Sequence, residues 1–238
     1  MCVKMFIHKT KGKKHMKNKL LTGLLGFFTV ILIITFSIGL PIYVRPFYYM
    51  QIDALEIEEY SGADRETIIE AYNELLDYLT IPGNEFGTGD FAYSEEGKSH
   101  FVDCKVLFDL NAYAFLISLA GFITLVILNK KGVFRLWRPF GMNIAFSSGI
   151  YTLGGFAIIG GLAALDFNTA FAIFHKIFFP GKDNWLFDWN EDAIIRVLPQ
   201  AFFMNCAILI LSSIILLCLG CIAYSIIEKI IEKRENEN

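Results

Sequence analysis

Two histidines lie beside membrane-length apolar runs, and their side chains are the ones in this sequence best suited to chemistry. His100 precedes the apolar run 106–128, and His175 follows the run 140–165 in a segment rich in aromatic residues. Histidine titrates near neutral pH, so one imidazole can remove a proton while another donates to a developing oxyanion. Such a pair at a lipid surface favours general acid–base catalysis on an acyl ester, with an amine or alcohol as acceptor.

Other chemistry is less well supported by the motifs present. A zinc site would use His100, Asp103 and His175 with a further carboxylate, but the sequence contains no HExxH motif. A serine hydrolase would need a GxSxG nucleophile elbow, which is also missing, and Ser99 and Cys104 lack a convincing activating partner. Each histidine also has a purely structural explanation, as an interfacial ring in an aromatic belt or as a hydrogen-bonded residue at a helix start.

The elements that carry these residues are those of a membrane protein. Hydrophobic residues make up 55% of the 238 residues, with 23 phenylalanines, so polar side chains cannot cover a soluble surface. The five cysteines indicate neither a disulfide framework nor a zinc motif. We predict an all-α integral membrane protein with four transmembrane helices and a mainly helical extracellular cap. The predicted segments are a basic tail 1–19, TM1 20–44, a first cap segment 45–105, TM2 106–128, a connector 129–139, TM3 140–165, a second cap segment 166–199, TM4 200–227 and a tail 228–238.

The distribution of basic residues predicts the orientation. The two tails and the connector hold 14 lysines and arginines, whereas the two longer loops hold seven. Because short cytoplasmic segments are enriched in these residues, we expect both termini and the connector to be cytoplasmic. Run 20–44 is longer than the apolar part of a signal peptide and is interpreted as a retained anchor. The two loops then face outward and bring both histidines to the same interface.

Within the first cap segment, residues 64–79 carry apolar side chains at helical spacing. Asp64 is the predicted N-cap, and Pro82 with Gly83 ends the helix. The glycine-rich residues 83–97 indicate a loop or a short hairpin. The glycines of the third apolar run predict close approach of helices. They are Gly149, Gly154, Gly155, Gly160 and Gly161.

The second cap segment contains an aromatic stretch at residues 171–189. A short loop between helices rarely needs so many rings, so the stretch either packs as a structural element or binds an apolar ligand. Arg45, at the outer end of the first apolar run, is either a snorkelling anchor or a ligand for a phosphate or carbonyl group. The rings of the stretch, which surround His175, are Phe171, Phe174, Phe178, Phe179, Trp185, Phe187 and Trp189.

Two segments resemble the lipoprotein intramolecular transacylases of Gram-positive bacteria. The first is residues 100–108, which read HFVDCKVLF, and the second is residues 174–179, which read FHKIFF. The second is followed along the chain by Asn184-Trp185 and Leu198-Pro199, which are also part of the resemblance. The similarity extends over about residues 20–227. The family motif HxxDVK reads HFVDCK here, a departure at Cys104, where a residue of similar size replaces valine.

The resemblance implies a function and a site. It implies an acyltransferase that moves the sn-2 acyl chain of a lipoprotein's diacylglyceryl group to the α-amino group of its N-terminal cysteine, giving the lyso-form lipoprotein. His100 and His175 would be catalytic, and which of them is the base is left open. The expected substrate-binding residues are Arg45, Asp103, Lys105, Phe178, Phe179 and Trp185.

The same resemblance implies no cofactor and no metal. The expected partners are a diacylated lipoprotein and membrane lipid, without nucleic acid, and the protein is expected to be a monomer in the bacterial cell membrane with its site at the outer surface. The alternative is a non-enzymatic membrane protein whose aromatic outer loop binds lipid or a partner. Transport is disfavoured because no apolar run carries a charge near its centre.

Overall fold

The computed structural model describes residues 2–138 and 141–237, with side chains from residue 15 onward. Within these residues the regular structure is entirely helical. The predicted junction between connector and third run, at Pro139 and Phe140, lies outside the described residues. The helices are α1 (Cys2–Tyr43), α2 (Pro46–Tyr49), α3 (Gln51–Ala54), α4 (Ile57–Ser61), α5 (Arg65–Thr80), α6 (Glu95–Lys130), α7 (Ile144–Leu165), α8 (Phe167–Phe178) and α9 (Gln200–Glu237), with a short 3₁₀ turn at Ala193–Arg196.

Four of these helices are long and apolar enough to cross a membrane, namely α1, α6, α7 and α9. A helix needs about 20 apolar residues to span the hydrocarbon core. The predicted fold class, an all-α membrane protein with four spanning helices and helical cap segments, is therefore confirmed. The structure adds that α6 begins at Glu95 and continues unbroken through the apolar run, so His100 lies on the same helix as TM2.

The chain divides into two compact units. We call the one formed by Ser37–Tyr113 and Ile158–Leu211 the histidine unit, because it holds both candidate histidines. The other comprises Met1–Phe36, Ala114–Ala157 and Ser212–Asn238 and is called the terminal unit. Each of the four long helices contributes residues to both units.

Helix α5 forms as its sequence predicts. The Asp64 side chain accepts a hydrogen bond from the Thr67 N–H at 2.9 Å, which satisfies a free donor in the first turn. The chain leaves the helix at Ile81 in an extended conformation, just before Pro82. Its apolar face is buried over Ile68, Ala71, Tyr72, Leu75, Leu76 and Leu79. Residues after this helix form a loop up to Ser94, so the loop interpretation is correct and the hairpin is wrong.

The core of the histidine unit centres on Tyr48, which is fully buried. Its ring stacks on Tyr72 with centroids 3.7 Å apart and meets the Phe202 ring edge-on at 5.2 Å. Its hydroxyl donates to the Val197 carbonyl at 2.7 Å, so the one polar atom of this ring is satisfied. This core joins α2, α5, α9 and the segment before α9, and thereby holds the two cap segments together.

The terminal unit holds the connector through polar contacts. Arg138 forms ion pairs with Glu228 and Glu232 of α9. The Trp137 N–H donates to Thr22 Oγ1 of α1 at 3.0 Å. The connector is therefore fixed to the first and last long helices of this unit.

Glycines allow close helix packing at two of the five predicted positions. A Cβ on Gly149 would lie 2.9 Å from the Cys218 carbonyl oxygen, and one on Gly160 would lie 3.2 Å from the Leu211 side chain. Gly154, Gly155 and Gly161 have open space at the same position, so for these three the prediction is wrong. Cys218 and Cys221 are spaced as C-x-x-C on α9, yet both are free thiols in a tightly packed apolar segment.

Replacing Ile68 with alanine should destabilise the protein by about 2–5 kcal/mol, because this side chain is fully buried and its loss leaves a cavity. The matched control is Ile81→Ala, at a position that is 44% exposed just beyond the same helix, where the cost should stay below about 1 kcal/mol. Denaturant unfolding of the purified protein in detergent measures both. Equal effects would contradict the assigned burial of α5.

Candidate active site

The structure brings His100 and His175 together. Their ring centroids lie 5.6 Å apart, with 35° between the ring planes. The side chains are almost fully buried, with exposed fractions of 5% and 6%. His100 lies on α6 and His175 on α8, and both belong to the histidine unit. The sequence suggested that the two could converge, and in the structure they do.

The hydrogen bond of His175 fixes its tautomer. Nδ1 lies 2.7 Å from the carbonyl oxygen of Phe171, one helical turn earlier. A carbonyl oxygen only accepts, so Nδ1 must carry the proton and Nε2 of the neutral ring keeps its lone pair. Burial lowers the pKa of His175 from its ordinary value, and the hydrogen bond to Phe171 opposes this shift. His175 is therefore a neutral ring that can accept a proton at Nε2.

His100 has a different set of contacts. Its Nε2 lies 3.4 Å from Cys104 Sγ, one turn further along α6. Its Nδ1 is buried and has no hydrogen-bond partner among the described residues. The rings of Phe179 and Phe187 meet the imidazole edge-on, at 4.9 Å and 5.6 Å. His100 thus lies in an apolar aromatic setting with one ring nitrogen unpaired.

The aromatic stretch is half helix and half loop. Its first part belongs to α8, where the Asp166 side chain caps the helix by accepting from the Thr169 N–H. The predicted short loop therefore applies only to the residues after Phe178. The rings divide into two groups by their contacts. Those of Phe171, Phe174, Phe179 and Trp185 contact His175, whereas Phe178 packs on Phe174 at 4.6 Å and is half exposed.

Trp185 packs against His175. Its indole stacks on the His175 ring at a centroid distance of 4.5 Å and an interplanar angle of 23°. The indole Nε1 is buried and unpartnered within the described part of the chain. Since a buried indole N–H usually has a hydrogen-bond acceptor, Trp185 presents a donor beside the two imidazoles.

The histidines line a cavity of about 690 Å³ with mostly apolar walls. Phe179, Trp185 and Cys104 lie on the wall next to the imidazoles, and Leu75, Leu76 and Leu79 of α5 contribute further apolar surface. All the lining residues belong to the histidine unit. A cavity of this size and character suits an apolar ligand with a few polar groups at one place.

Four of the predicted substrate-binding residues do not line this cavity. Arg45 pairs with Asp77 and donates to Asn73 Oδ1, and the Lys105 ammonium donates to the Tyr78 carbonyl. Asp103 accepts from Lys182, and Phe178 is half exposed on the outer side of α8. Phe179 and Trp185 do line the cavity. No contact in the structure tests any of these six against a substrate, so their roles stay predictions.

Three residues at the site were not among the predicted substrate-binding residues, although the sequence singles out Phe187 and Asn184 for other reasons. Phe187 packs against His100, and Asn184 and Lys182 contact Asp103 from the loop after α8. The signal available for Asn184 was its place beside Trp185 in a segment that carries the family resemblance. Among the described side chains, no group of three metal-ligating residues is arranged to hold a metal ion.

Comparison with known proteins identifies the family. The model for "Lipoprotein intramolecular transacylase Lit" matches residues 23–203. The chain belongs to the lipoprotein intramolecular transacylase family. The predicted family is confirmed, and with it the classification as a membrane-integral acyltransferase. No curated protein matched in a separate search.

Three solved structures of the transacylase Lit from Bacillus cereus have the same fold. One is 26% identical with a TM-score of 0.80, covering 93% of this chain and 99% of that chain. A variant with a histidine replaced by arginine is 23% identical with a TM-score of 0.78, covering 97% and 99%. A variant with a histidine replaced by alanine is 24% identical with a TM-score of 0.75, covering 94% and 99%.

His175 should make the protein less stable in acid. Because folding lowers the pKa of this group, the unfolded chain binds more protons as the pH falls below about 6.5. Stability is therefore lost as the pH falls from that value towards the folded pKa. His175→Gln, which can still donate to the Phe171 carbonyl, should lose less stability between pH 7 and pH 5 than the wild type.

Thermal unfolding in detergent at the two pH values measures this difference. If both proteins lost the same stability, His175 would not contribute to the acid sensitivity.

Proposed function

We propose that the protein transfers the sn-2 acyl chain of a diacylglyceryl-modified lipoprotein to the α-amino group of the same N-terminal cysteine, producing the lyso-form lipoprotein. The observation that carries this proposal is the pair of buried imidazoles on the wall of an apolar cavity. Membership of the transacylase family supports a lipoprotein as substrate.

The reaction requires bases more than it requires a protein nucleophile. A C–N bond forms between the α-amino nitrogen and the ester carbon, and the bond from that carbon to the sn-2 oxygen breaks. The α-ammonium loses two protons on becoming an amide, whereas the sn-2 oxygen takes up only one. The second proton leaves to solvent. Two neutral imidazoles therefore match the number of proton transfers at the nitrogen.

His175 is well prepared to act as a base. Its Nδ1 is committed to the Phe171 carbonyl, so Nε2 is the nitrogen available to the substrate amine. Burial favours the neutral ring, which is the form that can take a proton. An α-amine has a pKa of about 7.7–8.0, so it needs only a modest base. We assign the first proton transfer to His175 and the second to His100.

Trp185 supplies a donor for the negative charge that develops on the ester oxygen. Its Nε1–H is buried beside His175 and lacks a partner among the described residues, so it is available as a donor to an oxyanion. One such donor is typically worth about 3–4 kcal/mol in the transition state. In this proposal, the atom of Trp185 that binds the substrate is Nε1, through its hydrogen.

The cavity accounts for the remaining requirement, which is to hold the ester against the amine. Both groups belong to one substrate molecule, so correct placement alone can lower the barrier by several kcal/mol. Apolar walls such as Phe179 and the leucines of α5 suit an acyl chain. A dry site also strengthens the interactions of Trp185 and the imidazoles with the reacting groups.

Removing either imidazole should reduce lyso-form production by about 10²-fold or more, the usual effect of losing a general acid–base group. The experiment incubates a synthetic diacylated lipopeptide with the wild type, His100→Ala or His175→Ala and follows the product by mass spectrometry. His15→Ala, in the basic tail, is the control and should behave as the wild type.

Full conversion by either alanine variant would remove that histidine from the mechanism. If the protein were instead a lipid-binding or partner-binding protein, both alanine variants would keep their function, whereas Trp185→Ala or Phe178→Ala would abolish binding.

The charge distribution supports a bacterial cell membrane orientation with both termini cytoplasmic and the histidines at the outer surface. Single cysteines introduced at Asn190 and Glu235, both exposed, test this orientation in a variant without native cysteines. A membrane-impermeant maleimide added to intact cells should label Asn190→Cys and not Glu235→Cys. The reverse labelling pattern would overturn the orientation.

A further inference from the structure

Asn184 is held in one orientation by groups on α6. Its Nδ2 donates to Asp103 Oδ2 at 3.1 Å and lies 3.4 Å from Ser99 Oγ. The other carboxylate oxygen, Oδ1, accepts from the Lys182 ammonium at 2.6 Å. Because a carboxylate only accepts, the NH₂ group of the Asn184 amide must face Asp103. The amide oxygen therefore points away from Asp103.

Two buried polar atoms, one of them in this amide, lack hydrogen-bond partners among the described residues. They are Oδ1 of Asn184 and Nδ1 of His100. Asn184 contacts Ser99 and Asp103, which lie one residue before and three residues after His100 on α6, so the two side chains are neighbours. Buried polar atoms without partners are uncommon, and each one calls for a physical explanation. One is an acceptor and the other can be a donor, so each can satisfy the other.

We propose that Asn184 is a positioning residue for His100, with Oδ1 accepting a hydrogen bond from Nδ1–H when substrate is bound. An amide oxygen only accepts, so this bond places the ring proton on Nδ1 and leaves the lone pair on Nε2. Hydrogen bonds of this kind are often poorly aligned without substrate and tighten in the complex. This inference rests on the proposed function, because it assigns a base role to His100.

The contact on the other side of the ring agrees with this tautomer. Cys104 Sγ lies 3.4 Å from Nε2, and a thiol hydrogen can donate to an unprotonated ring nitrogen. Both histidines then use Nδ1–H to bind a carbonyl oxygen of the protein, Phe171 for one and Asn184 for the other. Nε2 is then the unprotonated nitrogen of both rings, and in His100 the Cys104 thiol is its partner before substrate binds. Asp103 acts through Asn184 in this arrangement, without touching substrate.

The first test is kinetic. Asn184→Leu removes the acceptor while keeping a side chain of similar size, and kcat should fall about 10- to 100-fold, because misplacing a reacting group by about 1 Å can cost about 100-fold in rate. KM should change by less than about twofold, because no substrate contact is removed. Asn190→Leu, the same substitution at an exposed position further along the same loop, is the matched control and should keep wild-type kinetics.

The second test observes the tautomer of His100 directly, in the wild type and in Asn184→Leu. Histidine ¹⁵N chemical shifts distinguish a protonated ring nitrogen from an unprotonated one, and His100→Gln assigns the signals among the four histidines. In the wild type with a non-hydrolysable lipopeptide analogue, His100 should show a protonated Nδ1 and an unprotonated Nε2. In Asn184→Leu, the Nε2-protonated form should appear.

The outcomes separate the two proposals. A wild type that makes no lyso-form product contradicts the proposed function, whatever the tautomer. An active wild type whose His100 carries its proton on Nε2, or an Asn184→Leu variant with wild-type kcat, contradicts only the role of Asn184.

Discussion

The burial of two imidazoles 5.6 Å apart is the constraint on which the rest of the histidine unit depends. Two charged rings at this distance would repel each other, and burial removes the water that would otherwise stabilise either charge. The pair is therefore stable in the neutral form, in which a buried ring N–H usually has a hydrogen-bond acceptor. The Phe171 carbonyl is this acceptor for His175, and its position one turn earlier on α8 makes the bond a local consequence of the helix.

The loop after α8 has to be held against α6 for the second imidazole to meet the first. Two acidic side chains provide this attachment. Asp103 binds the loop side chains of Lys182 and Asn184, and the buried Asp192 accepts from the backbone N–H groups of Ser94 and Asp188. Burying a carboxylate costs free energy unless it is hydrogen-bonded. The hydrogen bonds to Asp192 therefore offset the cost of burying it, and those of both carboxylates attach the loop.

Helix α8 has apolar side chains both at the cavity and on its exposed surface. Phe171, Phe174 and His175 line the cavity, whereas Ile173, Ile177 and Phe178 are exposed and do not line it. A helix of this kind is expected where one face packs on protein and the other borders lipid. Only Asp166 separates α8 from the end of α7, one of the four spanning helices, which agrees with a position at the membrane surface.

Much of the fold could be predicted because it follows from local patterns. The apolar runs specified the spanning helices, and the helical spacing after Asp64 specified α5 together with its cap and buried face. Helix boundaries were less predictable, since α6 continues through the change from polar to apolar sequence at residue 106. Backbone hydrogen bonding continues through such a change as long as no residue breaks the helix.

By itself, the sequence determined which residues can do chemistry and that two histidines lie beside apolar runs, because both facts depend on residue type and position along the chain. Only the tertiary structure decided that the two rings meet, that Phe179 lies against them while the adjacent Phe178 is exposed, and that Arg45 and Lys105 contact protein groups outside the cavity. Neighbouring residues on a chain point in different directions, and which of them reaches the site depends on packing between distant segments, which local periodicity does not encode.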